Sequence, residues 1–298
     1  MQNKGTLAAL GAYLLWGLFP IYWKVLDHVP AGEILAHRML WSFAFMMLLM
    51  TVAREWRWLK TAVTQPRTLL LFCLSATLLG INWLTYIWGV NNDYIVDTSL
   101  GYFINPLVNV LLGVLFLQER PRNGQWLAIG VATIGVVYLA VSYGVVLWIS
   151  LTLAFSFAFY GLLRKTATLN SWEGLTLETA VFFLPAFGYL FFLEVDGTAA
   201  FGHVSWTTTL LLAGTGLATS IPLLLFAYGA RLVTLTTLGI LQYIAPTMQF
   251  LIGILIYNEP FTSQRIVGFT IIWIALAIYS GENLWQRRRR RRLPLPLP

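Results

Sequence analysis

The sequence predicts an all-α integral membrane protein of ten transmembrane helices, arranged as two inverted five-helix repeats. Three observations lead there. Of 298 residues, 58% are hydrophobic and only 10% charged, whereas a soluble domain carries roughly 25% charge to keep its surface wetted. Apolar stretches recur near the ~20 residues a helix needs to cross the hydrocarbon layer. The chain also matches itself at an offset of 140 residues.

Backbone groups in lipid must satisfy one another, which leaves helices or a closed barrel. A barrel strand alternates apolar and polar residues. Leu69–Val90 and Val145–Leu163 contain neither alternation nor charge, so the spans are helices. They are expected at 5–23, 34–53, 68–90, 99–118, 124–141, 144–163, 174–193, 207–230, 238–257 and 265–284. Ser142 and Tyr143 alone separate the fifth from the sixth and predict a tight antiparallel turn.

Basic residues orient the spans, because lysine and arginine are retained on the cytoplasmic side. With the N-terminus inside, sixteen of nineteen fall there: Lys4, Arg54, Arg57, Lys60, Arg67, Arg120, Arg122, Arg164, Lys165, Arg231 and Arg287–Arg292. Lys24, Arg38 and Arg265 lie at or near the outer side. Both termini are therefore expected in the cytoplasm. The net charge of +7 reads as membrane-orienting charge, not as a nucleic-acid surface. Residues 285–298, six arginines followed by Leu-Pro repeats, are expected to form a disordered tail. Cys73 is the single cysteine, so no intrachain disulfide can form; it lies in an apolar span with an inert packing role.

At the 140-residue offset Glu33 falls on Glu173, Phe43 on Phe183 and Gly89 on Gly229. Ile104, Pro106, Gly113 and Glu119 fall on Ile244, Pro246, Gly253 and Glu259. Proline, glycine and glutamate recurring in one order and spacing point to a duplication, with repeats at 5–143 and 144–284. Five spans per half is an odd number, so the second half enters the membrane from the opposite side. Many secondary transporters are built so, with the site between the halves near the midplane.

Polar groups inside the spans are candidate site residues, since placing them in hydrocarbon is expensive. His37 and Arg38 lie about a turn inside span two, where Arg38 either pairs with Glu33 as an interfacial anchor or faces a central cavity. Glu178 is the repeat counterpart of Arg38, on the opposite side of the membrane. It reads either as a coupling carboxylate or as an acid favoured by the first turn of a helix. Glu119 and Glu259 close spans four and nine, where a carboxylate needs a partner; amides starting spans five and ten, or Arg122 and Arg265, would serve. Pro106 and Pro246 are expected within spans, each freeing the carbonyl four residues earlier, at Tyr102 and Gln242. Tyr102, Asn105, Gln242 and Tyr243 are then expected to face the protein interior, lining a cavity or bonding helix to helix. Trp16, Asn82, Trp83 and Tyr86 lie away from the membrane ends, and aromatic walls with few amides suit a partly apolar organic solute. Gly113, Gly253, Ala128, Ala132, Gly214 and Ala218 read as small faces for close helix packing.

These motifs carry a resemblance. Pro30-x2-Glu33-Ile34-Leu35-Ala36-His37-Arg38, Asn82-Trp83-x2-Tyr86-Ile87-Trp88, Ser99 to Leu107 and Gly239-x2-Gln242-Tyr243-Ile244-Ala245-Pro246 resemble RarD-type members of the drug/metabolite transporter superfamily. The resemblance runs from about residue 5 to 284 and picks out Arg38 again. It implies two EamA-type domains and an exporter or exchanger of small organic solutes in the bacterial inner membrane. The expected partners are a small solute and the lipid bilayer, with no nucleic acid, cofactor or metal; a monomer suffices for a ten-helix carrier. The sequence has no Gly-x4-Gly-Lys loop for ATP, and neither a His-Glu-x2-His nor a Gly-x-Ser-x-Gly motif for an enzyme. A channel or a non-transporting scaffold is the alternative.

Overall fold

The computed structural model describes residues 2–54, 56–118, 123–143, 147–232 and 241–292, and among these it contains no strand. The helices are α1 Gln2–Gly17, α2 Phe19–Lys24, α3 Ala31–Ala53, α4 Arg57–Thr64, α5 Pro66–Asn91 and α6 Ile95–Leu117. They continue with α7 Asn123–Tyr143, α8 Leu147–Thr166, α9 Ser171–Asp196, α10 Trp206–Leu232, α11 Ile244–Leu255 and α12 Ser263–Arg292. Among the described residues, nine stretches are long and apolar enough to cross a membrane, with α1 and α2 forming one of them over Lys4–Lys24.

Local chemistry sets many of the ends. Pro66 opens α5, where its missing N–H is one that no helix would bond. Asn170 and Glu173 form a capping box that starts α9, and Gly197 ends it in the left-handed conformation. Leu18 separates α1 from α2, just before Pro20.

The perimeter inverts that of a soluble protein. Leu7, Val52, Leu70, Leu127, Ile134, Leu184, Phe191, Leu210 and Leu255 all point outward, where hydrocarbon is their solvent. Cys73 is among the exposed residues, so it faces outward rather than packing inside. Closeness inside comes from small residues. A Cβ on Gly216 of α10 would stand 2.5 Å from the backbone of Trp41 on α3, and one on Gly101 of α6 would stand 2.8 Å from the Ser150 carbonyl of α8.

The helices pack as α3 on α9 and α10, α1 on α10 and α11, α5 and α6 on α8, α6 on α11, and α7 on α12. Helix starts recur 140 residues apart: Ala31 with Ser171, Pro66 with Trp206, and Asn123 with Ser263. Phe43 and Phe183, which match at that same offset, touch where α3 crosses α9, with ring centroids 4.8 Å apart.

The structure departs from the expected spans and ends in four places. Between spans two and three, where no element is expected, lies α4, whose Trp58 and Ala62 pack on Phe72 and Leu177; tertiary burial supports a helix too short to announce itself. Ser142 and Tyr143 are helical, the last two residues of α7, and residues 144–146, which follow them, lie outside the described residues. Residues 285–292 are not irregular: α12 runs through the arginines to Arg292, because arginine is a good helix former and suits a helix C-terminus. The ninth span, expected at 238–257, is described only as the twelve-residue α11 preceded by a turn at 242–243. Pro246 therefore sits in the first helical turn, where it breaks nothing.

Candidate functional site

Two ends of the bundle bracket the candidate residues. At the end carrying Lys24, the contacts bridge separate helices. Lys24 Nζ donates to Asp93 at 2.7 Å, and His28 bonds Thr208 at 3.0 Å. Glu33 Oε1 accepts from the amides of Ala200 and Phe201 at 2.7 and 3.4 Å. Arg265 donates to Asp97 at 3.1 Å. Glu259 accepts from the first two amides of α6, Ile95 at 2.6 Å and Val96 at 2.8 Å. Glu259 thus takes the free amides at the start of α6, not those of span ten, while Arg265, which donates to Asp97 and to the Pro260 carbonyl, acts on it through its charge. Glu259 lies outside the spans, and burial, the largest influence, raises its pKa to about 7. Glu119, its counterpart, lies outside the described residues.

Arg38 lies deeper and is 3% exposed. Its Nε donates to Thr219 Oγ1 of α10 at 2.7 Å. Its guanidinium carbon stands 3.7 Å from the Trp83 ring centre, 5.2 Å from Trp23 and 5.7 Å from Phe19. Of the two readings of Arg38, the pair with Glu33 is not formed, because the amides of Ala200 and Phe201 take the carboxylate. Nη1 of Arg38 has no hydrogen-bond partner, and neither does the buried hydroxyl of Tyr86. Tyr22, Tyr86 and Tyr102 lie within electrostatic reach of the guanidinium. His37 stacks on Phe201 at 4.8 Å, with its ring Nε2 3.9 Å from Glu33.

The amides have structural duties. Asn82 donates to the Leu153 carbonyl and to Ser156, both at 3.0 Å, and accepts from Tyr102 at 3.1 Å. Asn105 donates to the Ala154 carbonyl at 3.0 Å and accepts from Asn109 at 3.0 Å. Both tie their helix to α8. Gln242, half-buried in the turn before α11, lies beside the Tyr243 hydroxyl, and Tyr243 packs on the core shared by α6, α7, α8, α11 and α12. Trp16 packs with Tyr13 and Phe226 at centroid distances of 5.4 and 5.6 Å.

Gln249 went unnoticed in the sequence although its signal is there. Pro20 frees the carbonyl of Trp16, four residues earlier, and Gln249 Nε2 donates to it at 3.0 Å. Asp97 was likewise overlooked; its partner Arg265 is far away in sequence, and no local pattern marks the pair.

At the opposite end, Glu178 is 2% exposed. It accepts from Ser75 at 2.7 Å and Tyr160 at 3.3 Å, and Arg164 Nη1 stands 3.8 Å away. It is the eighth residue of α9, two turns in; the first-turn acid is Glu173. The helix dipole therefore does not account for Glu178. A cleft of about 140 Å³ opens between α3 and α9, lined by Gly32, Leu35, Ala36, Met39, Phe182, Ala186 and Tyr189. None of the sequence-predicted site residues lines it.

The family of EamA-like transporters matches residues 3–141. The chain is 47% identical to Protein RarD of Streptomyces exfoliatus, with 97% of this chain and 91% of that one covered. It is 44% identical to Protein RarD of Escherichia coli, covering 96% and 97%, and 45% identical to the uncharacterized transporter YojE of Bacillus subtilis, covering 96% of each. A solved crystal structure at 17% identity shares the fold with a TM-score of 0.58, covering 92% of this chain and 96% of that one.

Proposed function

The chain belongs to the RarD family of EamA-like membrane transporters, and we propose that it is a secondary transporter of a small organic metabolite or drug-like solute in the bacterial inner membrane. It works by alternating access between two inverted five-helix halves, 5–143 and 144–284. The observation that carries this reading is Arg38, a buried cation held between the halves. Its helix and the Trp83 face beneath it come from the first half, while Thr219 comes from the second. A rocking motion of one half against the other changes that environment directly. The contact between Phe43 and Phe183 supports a pseudo-two-fold axis through the α3–α9 crossing, and the recurrent helix starts support the duplication.

In this reading the Lys24 end faces outward, as the basic residues suggest, and it is closed. The Glu33 bonds to the 200–201 turn and the Lys24–Asp93 pair hold it shut across helix boundaries. Glu178, with hydroxyl donors on both oxygens, is the candidate coupling carboxylate at the cytoplasmic end.

Solute counterflow in proteoliposomes loaded with a bacterial metabolite extract tests the proposal. Saturable exchange of at least one solute is expected. Conductance linear in concentration would reassign the chain to the channels, and neither flux nor exchange would leave it a scaffold.

A further inference from the structure

We propose that the transported solute is an organic carboxylate with a flat apolar body, its carboxylate held by Arg38 and its body against the rings around it. This deepens the transporter reading and rests on it.

The first argument is charge. Four acids are buried among the described residues, and each accepts hydrogen bonds on at least one oxygen. Glu33 takes the amides of Ala200 and Phe201, Asp97 takes Arg265, Glu178 takes Ser75 and Tyr160, and Glu259 takes the amides of Ile95 and Val96. Arg38 is the buried cation whose charge no described carboxylate balances within ion-pair distance. A guanidinium does not lose its proton in a protein, so the positive charge stays. It repels a cationic solute and favours an anionic one.

The second argument is geometry. The bond from Nε to Thr219 and the Trp83 ring, its centre 3.7 Å from the guanidinium carbon, hold the guanidinium in place. Its Nη1 keeps an unused donor. A planar donor edge held this way matches the planar oxygens of a carboxylate. The unpartnered hydroxyl of Tyr86 offers one more donor in the same neighbourhood.

The third argument is what else the region offers. Phe19, Trp23 and Trp83 surround the cation. Asn82 and Asn105 commit their side-chain N–H groups to α8. A polyhydroxylated neutral solute therefore finds few free amides, whereas an aryl or alkyl body finds rings.

The test uses arylalkanoates such as 3-phenylpropanoate, 4-phenylbutanoate and indole-3-propanoate, each alongside its primary amide and its amine. Ligand-induced thermal stabilisation of the purified wild-type protein ranks each set of three. The acids are expected to bind about tenfold or more tightly than their amides, since a charge-assisted contact is lost, and the amines to give no shift. Arg38→Gln should abolish the preference for acids and Arg38→Lys should keep a weakened one. Amides or amines binding as well as the acids overturns the proposal. So does a wild-type protein that no acid stabilises, or a preference for acids that survives Arg38→Gln. If Arg38→Gln does not fold, the wild-type ranking decides alone. Counterflow with the same compounds separates the two readings: acids that bind but never cross sink the transporter and spare the anion site, while saturable exchange of amines does the reverse.

Discussion

Replacing Glu259 with glutamine isolates a contest between burial and hydrogen bonding at the start of α6. Two amides donate to the carboxylate at 2.6 and 2.8 Å, and bonds to a charged acceptor are worth ~1.5–3 kcal/mol each. They favour the ionised form. Burial opposes them and wins, helped by the nearby Asp97 charge and countered by Arg265, so that the pKa rises from 4.5 to about 7. That rise corresponds to about 3 kcal/mol of preference for the neutral acid in the folded protein. The folded value exceeds the unfolded one, so this contribution is complete below about pH 4.5, declines as pH rises, and is gone above about pH 7. Glutamine resembles the neutral acid and cannot titrate. In thermal unfolding of the detergent-solubilised protein, wild type and Glu259→Gln should be similar near pH 5. By pH 8 the variant should be the more stable, by ~3 kcal/mol at most. A variant that is less stable than wild type at pH 8 would show that the two amide bonds outweigh burial, and the reasoning would fail.

Three further outcomes are expected. In a Cys73→Ser background, cysteines at Ser142 and Ser205 should react with an impermeant thiol reagent on whole cells and one at Thr61 should not; the reverse pattern removes both the orientation and the inverted repeat. Asp97→Asn removes the carboxylate charge that the buried Arg265 donates to and should destabilise by ~3–5 kcal/mol, measured by unfolding in mixed micelles. Adding Arg265→Gln should restore part of this, and full additivity of the two changes would mean the 3.1 Å pair contributes nothing. Gln249→Leu keeps bulk but strands the Trp16 carbonyl, so a loss of ~1–3 kcal/mol is expected; an unchanged midpoint would mean another donor reaches that oxygen.

What was legible in the sequence follows from periodicity and composition. Absence of charge across ~20 residues has one physical outcome in a membrane, so the spans stood out and α5, α9 and α10 lie close to where they were expected. Short elements held by burial were not legible: α4 owes its existence to Phe72 and Leu177 beneath it. The site divides similarly. Arg38 was visible because a cation inside an apolar span is expensive wherever it points. Its partner was not.

The sequence by itself determined the membrane class, the approximate places of most spans and the residues too polar to be there without a reason, because each depends on the chain's own solvation. Only the tertiary structure decided which groups meet. Glu33 lies five residues before Arg38, yet it turns to the amides of Ala200 and Phe201 while Arg38 reaches Thr219, 181 residues away. The physical reason is competition for donors and acceptors. A carboxylate near a chain turn takes the free backbone amides packed against it, and which amides those are is set by helix packing across the bundle, not by any neighbour along the chain.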